Sequence, residues 1–344
     1  MIEALHATFP EAPIFTSIFL PEKFPPIFST MDIRPSFMQH LPFLEGHFKK
    51  YLLLYPLAMQ RFDLRGYDVV ISSSSSAFAK GISVPTGTSH ICYCYTPIRF
   101  VWDTESYLAR EALHPLYKMI LPKALSYLKQ WDLKTAARVD HFIGISKHIC
   151  RRIERCYQRR ADLIYPPVDL SRFSISKKQD DYFLVVSRLN TYKRIDLVVE
   201  VFNQIHLPLL IIGTGPHETS LKRQAKKNIT FLGQVSQEAL AKYLNRCRAF
   251  IFPGEEDFGI APVEAMASGR PVIAYGRGGA LETVVEGTTG HFFQNQTVEG
   301  LIEAIHRFET MESEFDPLKI RDVAQKFDKE IFKQKIKAYI LAVS

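Results

Sequence analysis

Short apolar segments alternate with longer amphipathic segments along most of the chain. Many of the apolar segments are bounded by Gly, Pro or Ser, a pattern typical of strands buried on both faces. The predicted strands are residues 14–20, 69–73, 91–95, 142–145, 183–187, 207–212, 229–232, 249–252, 272–275 and 291–293. Helical periodicity between them, as in residues 195–204 and 237–247, predicts an α/β fold with parallel, doubly wound sheets.

A break in this alternation near residues 166–169 predicts two domains. The 344 residues are enough for two domains of about 150 residues each. A polar stretch without apolar periodicity, residues 171–181, follows the break. We therefore predict one Rossmann-like domain over residues 1–168 and a second over 169–327. A final helix within 328–344 is predicted to cross back to the first domain.

Two glutamates follow a predicted strand at the place where parallel sheets bind ligands. Glu256 lies in the turn after residues 249–252, and Glu264 lies on a short helix predicted to begin near Pro262. The N–H groups at a helix start can hold a phosphate or a sugar hydroxyl, and Gly259 lets a ligand approach the backbone closely. Two isolated glutamates are more often an exposed turn and a surface helix, so the interpretation depends on the whole string.

That string resembles the signature of retaining glycosyltransferases with two Rossmann-like domains, the family 4 enzymes of GT-B type. The resemblance rests on Glu-x7-Glu at 256–264, Gly-Arg-Pro at 269–271, Ser-Arg-Leu at 187–189, Tyr-Lys-Arg at 192–194 and the glycine turn at 213–216. It extends over nearly the whole chain.

The resemblance implies a role for each of these residues. Arg188 and Lys193 would stabilise the donor diphosphate, doing what a metal ion does in other enzymes. Glu264 would hold the ribose hydroxyls, and Glu256 would approach hydroxyls of the transferred sugar. The other expected donor contacts are Gly213, Gly215, Val235, Phe258, Gly259, Ile260 and Ala261. The chain has no Asp-x-Asp metal motif, so we expect neither a metal nor a cofactor.

Residues 67–74, 92–103, 139–143 and 164–169 narrow the resemblance to a subgroup that assembles O-antigen and exopolysaccharide units, often as mannosyltransferases. This implies GDP-mannose as the donor and a lipid-linked or growing polysaccharide as the acceptor. Tyr95 stands where relatives place a His that points at the donor sugar. A tyrosine keeps a hydroxyl but has a different reach, which affects rate or donor preference. The alternative is an ordinary buried strand tyrosine.

The beginning of the chain departs from the family. Relatives have a strand and a Gly-Gly turn before the helix that matches residues 2–8, where this sequence begins. We therefore expect the first domain to lack its first strand. Two hypotheses follow: the natural protein starts further upstream, or this copy is impaired.

Charge and cysteine content bear on location. The net charge is +7, and 20 Lys and Arg oppose 15 Asp and Glu up to Asp169, so most of the excess lies in the first half. The five cysteines follow no zinc spacing, and no apolar run has the length of about 20 residues that spans a membrane. We expect a cytoplasmic protein with no nucleic-acid partner.

Contact with an anionic membrane surface is also predicted. Residues 48–55 mix cations with apolar and aromatic side chains, and a basic cluster follows later in the chain. That cluster consists of Arg151, Arg152, Arg155, Arg159 and Arg160. The alternatives are a core helix for the first segment and an ordinary solvated face for the second.

Three other functions remain open. A sugar-nucleotide epimerase could use the same architecture, but the Glu-x7-Glu and Tyr-Lys-Arg strings oppose it. A degenerate, non-catalytic binding partner is favoured by Tyr95 and the absent strand, and opposed by the intact cations and glutamates. A dehydrogenase is disfavoured, because Gly213-Thr-Gly215 lacks the third glycine of the dinucleotide fingerprint and position 218 is Glu.

Overall fold

The chain forms two compact units. A computed structural model describes residues 1–44, 48–75, 78–102 and 115–343. The first unit consists of Met1–Tyr165 and Phe332–Ser344, and the second consists of Pro166–Ile331. This division lies three residues before the predicted boundary, and it assigns most of the final helix to the first unit.

The strands of the first unit form two parallel sheets. A two-stranded sheet pairs β1 (Ile14–Thr16) with β2 (Ile33–Pro35). A four-stranded sheet has the order β3 (Val69–Ser75), β4 (Ser89–Thr96), β5 (His141–Gly144) and β6 (Asp162–Leu163). Among the described residues, no backbone pairing joins one sheet to the other.

Helices alternate with these strands along the chain of the first unit. They are α1 (Ile2–Thr8), α2 (Tyr55–Gln60), α3 (Arg99–Trp102), α4 (Pro115–Ala136) and α5 (Lys147–Tyr157). Five 3-10 helices lie at Pro21–Lys23, Pro26–Thr30, Phe37–His40, Phe48–Leu54 and Phe78–Gly81 in the part of the unit that is described. The predicted strand over residues 14–20 is therefore too long, because β1 ends at Thr16, residues 17–20 have no regular structure, and a 3-10 turn begins at Pro21.

A buried ion pair lies in the core of the first unit. Lys80 pairs with Asp132, and both side chains are almost completely buried. The Asp132 carboxylate also accepts hydrogen bonds from Trp102 Nε1 at 2.7 Å and from the Tyr157 hydroxyl at 2.8 Å. The carboxylate is therefore satisfied on both oxygens, which makes a buried charge tolerable.

The second unit is a doubly wound sheet of six parallel strands, as the alternation predicts. Its order is β12 (Gly290–Phe293), β11 (Val272–Tyr275), β10 (Phe250–Phe252), β7 (Phe183–Val186), β8 (Leu209–Ile212) and β9 (Ile229–Gly233). The chain winds outward from β7 to β9, and then returns to place β10 on the other side of β7. The carboxyl ends of β7 and β10 therefore form a topological switch point, where such sheets bind ligands.

Helices pack against this sheet through apolar faces. They are α6 (Ile195–Ile205), α7 (Glu218–Gln224), α8 (Gln237–Leu244), α9 (Ile260–Ala267), α10 (Ala280–Thr283), α11 (Val298–Met311) and α12 (Pro317–Gln325). The last helix, α13 (Lys329–Val343), begins in this unit and continues in the first. On α6, Leu197, Val198, Val201 and Phe202 are fully buried in the core of this unit.

Candidate active site

The loops that follow β7 and β10 bring two predicted site residues into contact. Lys193 lies on a 3-10 turn, Thr191–Lys193, after β7. Glu256 lies in the loop after β10, and the two side chains form an ion pair. Lys193 is 14% exposed and Glu256 is 24% exposed, so water screens this pair less than an ordinary surface pair. A cation and a carboxylate are thus adjacent at the switch point.

Arg188 lies in the same loop as Lys193 and is exposed. No described residue forms a hydrogen bond or ion pair with its side chain. The adjacent backbone is fixed, because the Leu189 N–H donates to Thr214 O at 3.0 Å and Leu189 O accepts from the His217 N–H. An exposed guanidinium on a fixed backbone is well suited to bind a phosphate group.

The glycine turn after β8 packs against the loop that carries Arg188. Gly213 has a φ of +128°, and a Cβ built there would lie 1.9 Å from Ser187 O. A Cβ on Gly215 would lie 2.6 Å from Leu189 O. These glycines allow the β8 loop to pack directly against the loop of Arg188. The structure thus gives Gly213 and Gly215 a packing role, and their predicted contact with the donor stays a prediction.

Helix α9 begins two residues earlier than Pro262, where the sequence placed its start. Gly259 precedes the helix with a left-handed φ of +94°. Pro262 is tolerated inside the first turn because the first N–H groups of a helix have no intrahelical partner. Ile260 is exposed and Ala261 is half-buried. Phe258 is buried against Phe327, with ring centroids 5.3 Å apart, so its side chain anchors the loop to the core.

Glu264 lies on α9 and is half-buried. Burial raises the pKa of this carboxyl to about 7, while the nearby charge of Arg172 acts in the opposite direction. A carboxyl that ionises near neutral pH is typical of ligand and catalytic sites. The sequence identified Glu264, but only the surroundings of the side chain explain its pKa.

Two further loops enclose the site. The Gly279 N–H after β11 donates to Glu256 O at 2.7 Å. After β12, the Gln296 amide accepts from Arg194 Nη1 at 2.9 Å and donates to Pro253 O at 2.7 Å. Gln296 therefore links the loops of Lys193 and Glu256. The sequence analysis missed it, because a single glutamine after a strand matches no motif.

The remaining predicted donor contacts lie elsewhere. Val235 is half-buried in the loop between β9 and α8. Tyr95 belongs to the first unit, on β4, where its hydroxyl accepts a hydrogen bond from Ser73 Oγ at 3.3 Å. Burial raises the pKa of Tyr95, so this side chain is a neutral hydroxyl at physiological pH. Both predicted contacts with the donor stay predictions.

Two arginines of the basic cluster on and after α5 form hydrogen bonds within the first unit. Arg152 Nη1 donates to Thr96 Oγ1 at 3.0 Å, and Arg159 Nη2 donates to Val139 O at 2.7 Å. Arg151, Arg155 and Arg160 are exposed. The other segment predicted to contact a membrane is residues 48–55, in which the structure describes side chains from Tyr51 onward. Leu52 and Tyr55 pack against the core, whereas Leu53 is exposed.

Within the described ranges, the structure has no cluster of three or more His, Cys, Asp or Glu side chains that could hold a metal ion. None of the helices in the same ranges combines the length and the apolar character that crossing a membrane requires.

Two family models match the chain, one in each half. The model for Glycosyltransferase Family 4 matches residues 15–172, and the model for Glycosyl transferases group 1 matches residues 169–327. The chain belongs to the family 4 glycosyltransferases. As a member of that family it is a hexosyltransferase, and the paired Lys193 and Glu256 lie within the second matched region.

Curated relatives of this glycosyltransferase include mannosyltransferases. The α-1,3/1,6-mannosyltransferase ALG2 of Dictyostelium discoideum is 23% identical over 74% of this chain and 70% of its own length. The O-antigen chain mannosyltransferase RfbU of Salmonella typhimurium is 27% identical over 52% of this chain and 56% of its own length.

Solved structures share the two-domain GT-B fold of this glycosyltransferase. Sucrose-phosphate synthase from Thermosynechococcus elongatus has a TM-score of 0.67 at 19% identity, and the match covers 92% of this chain and 85% of that one. Anabaena HepE in complex with UDP-glucose has a TM-score of 0.65 at 16% identity, with 92% and 87% covered.

Proposed function

We propose that this glycosyltransferase transfers mannose from GDP-mannose, with retention, to a lipid-linked or growing polysaccharide acceptor. The observation that carries the proposal is the Lys193–Glu256 pair at the switch point, beside the exposed Arg188. The cations suit a leaving diphosphate, and the carboxylate suits sugar hydroxyls. Mannosyltransferases among the relatives support mannose as the sugar and a glycan as the acceptor.

The proposed chemistry requires no side chain as general base. The acceptor oxygen bonds to the anomeric carbon on the same face from which the diphosphate leaves. As the bond from that carbon to the phosphate oxygen breaks, the acceptor proton passes to an oxygen of the leaving diphosphate. Arg188 and Lys193 stabilise the negative charge that develops there. Glu264 holds the ribose, and Glu256 orients the sugar ring.

The proposal predicts that both cations are needed for turnover. Arg188→Ala and Lys193→Ala should each lower kcat/KM by more than about tenfold, because a lost charge contact to the transition state costs a few kcal/mol. Arg223→Ala is the matched control, since Arg223 is an exposed arginine of the same unit on α7. Release of nucleoside diphosphate and mass of the product are measured with GDP-mannose and with UDP- and dTDP-sugars.

Each outcome of that assay has a defined meaning. Near-normal rates in both variants would remove Arg188 and Lys193 from the mechanism. Transfer from a UDP-sugar in place of GDP-mannose would replace the proposed donor but keep the transferase. Nucleotide binding without transfer from any donor would favour a non-catalytic binding protein.

We also propose that the first unit contacts an anionic membrane surface that carries the acceptor, on the cytoplasmic side. Leu53 is 63% exposed, and Arg151 and Arg155 project into solvent from α5. Leu53→Ser should reduce co-flotation with vesicles containing phosphatidylglycerol at low salt. Leu318→Ser is the control, since Leu318 is 71% exposed in the second unit. No flotation of the unaltered protein would refute the contact.

A further inference from the structure

Gln296 connects the two loops that carry the catalytic pair. Its side-chain carbonyl accepts from Arg194 Nη1, and its amide NH2 donates to Pro253 O. Arg194 directly follows Lys193 in the chain, and Pro253 lies three residues before Glu256. One amide therefore fixes the position of both loops next to their charged side chains.

The two loops also approach each other closely through their backbones. A Cβ built on Gly254 would lie 3.2 Å from Lys193 O. The contact between the two loops thus includes the Lys193–Glu256 ion pair and the hydrogen bonds of Gln296 to Arg194 and Pro253. Arg194 has a left-handed backbone with φ of +56°, an uncommon conformation for a non-glycine residue. Its side chain pairs with Asp196 at 3.3 Å as well as with Gln296.

We propose that Gln296, together with Arg194, is a positioning residue that sets the relative placement of Lys193 and Glu256. This inference rests on the proposed function, since it assigns those two residues to the donor diphosphate and sugar. Gln296 touches neither the donor nor the acceptor in this scheme. It acts by limiting how far the cation can move from the carboxylate.

Loss of this restraint should affect the chemical step. Gln296→Ala should lower kcat by about tenfold, because small displacements of charged groups weaken transition-state stabilisation. Arg194→Gly should have the same effect, since glycine adopts the left-handed backbone without strain but cannot reach Gln296. Arg194→Lys should retain most of the activity. The double variant Arg194→Gly, Gln296→Ala should be no slower than either single variant, because both remove one connection.

Gln179 offers a matched control in the same unit. Its carbonyl accepts from Arg270 Nη1 at 2.8 Å and its NH2 donates to Glu312 Oε1 at 2.6 Å. Gln179→Ala therefore removes a bridging glutamine of the same chemistry that precedes β7, whereas the catalytic loops follow the carboxyl ends of β7 and β10. It should lower thermal stability without changing kcat or the KM of the donor.

The experiment measures kcat, KM and melting temperature for all these variants, together with hydrogen exchange of the segments 187–194 and 253–259. A tenfold loss of kcat with faster exchange in both segments, in Gln296→Ala but not in Gln179→Ala, supports the proposal. It is overturned if Gln296→Ala keeps kcat within twofold of the unaltered enzyme, or if the effects of the two single variants multiply.

Failure of the proposed function has a different signature. If the unaltered enzyme turns over only another sugar nucleotide, that donor replaces GDP-mannose and the same comparison applies. If it turns over none, hydrogen exchange decides the matter. Unchanged exchange of the two segments in Gln296→Ala then overturns the inference, and faster exchange in both supports it.

Discussion

At the scale of single residues, the proposed role of Glu264 in holding the donor predicts that donor binding depends on pH. Burial raises the pKa of its carboxyl to about 7, so the group is largely protonated in mild acid. A protonated carboxyl accepts fewer hydrogen bonds from ribose hydroxyls than a carboxylate does. We expect the KM of the donor to rise as the pH falls below about 7. Glu264→Gln should raise KM and abolish this dependence, whereas a pH-independent KM in the unaltered enzyme would contradict the assignment.

The same raised pKa has a consequence for stability. Because the folded protein holds the proton more tightly than the unfolded chain, the ionised form destabilises the fold as the pH rises through 7. Glu264→Gln should therefore increase the free energy of unfolding at pH values above 7, by about 1–3 kcal/mol. The difference should vanish in acid below the ordinary carboxyl pKa of 4.5. Urea titrations of both proteins at two pH values measure it.

Glu256 and Glu255 allow a test of the ion pair itself. The Glu256 carboxylate neutralises part of the charge that Lys193 could offer to a phosphate. Glu256→Gln should bind free GDP roughly threefold to tenfold more tightly, since a partly buried pair contributes about 1 kcal/mol, yet it should transfer sugar more slowly. Glu255→Gln removes the same charge from an exposed neighbour and should change the Kd little. Calorimetric titration that finds equal or weaker binding by Glu256→Gln would disprove this.

At the scale of elements, the sequence predicts most strands of the second unit and the starts of α6 and α8, but not the start of α9 or the end of β1. β11 has the predicted bounds, and β7 ends one residue before Ser187. The sequence predicts a start of α9 near Pro262, whereas the left-handed Gly259 turns the chain into the helix two residues earlier. The sequence does not predict β2 or β6. β2 has three residues and ends in a proline, and β6 has two residues, so neither carries a recognisable periodic pattern.

The turn after β8 yields a prediction for an element junction. Gly213→Ala would place a methyl group against Ser187 O and force a side chain into a left-handed backbone. We expect a loss of about 2–4 kcal/mol in the free energy of unfolding, combining overpacking with backbone strain. Gly287→Ala is the control, since its φ is +72° with no atom near the added Cβ, and it should cost about 1 kcal/mol. Equal losses in the two variants would show that close packing on the Arg188 loop is unimportant.

At the scale of the whole molecule, the sequence predicts the fold class better than the arrangement of the site. Alternation of strands and helices indicates two α/β units, and the structure and its relatives confirm the GT-B fold. No local pattern reveals that β10 returns to the side of β7, because strand order depends on long-range packing. The contact between Lys193 and Glu256, and the hydrogen bonds by which Gln296 links their loops, depend on that order.

Each unit has a core of its own. The first contains Met59, Leu64 and Leu128 next to the buried Lys80–Asp132 pair. The second contains Phe183, Val198 and Phe202. In the second unit, the buried Arg270 guanidinium donates to Asn245 O, Ser176 O, Lys178 O and the Gln179 side chain, which fixes the segment that precedes β7.

Separate cores predict two transitions in calorimetric unfolding. A nucleotide that binds only the folded second unit raises its stability by mass action, so GDP should shift one transition and leave the other in place. Arg270→Met should lower the transition that GDP raises, because it removes the hydrogen bonds of a buried guanidinium to several partly buried carbonyl groups. Lys80→Met should lower the other one, since it leaves the Asp132 charge buried and unpaired. If GDP and both variants all move a single transition, the two units unfold as one cooperative body and the nucleotide stabilises the whole chain.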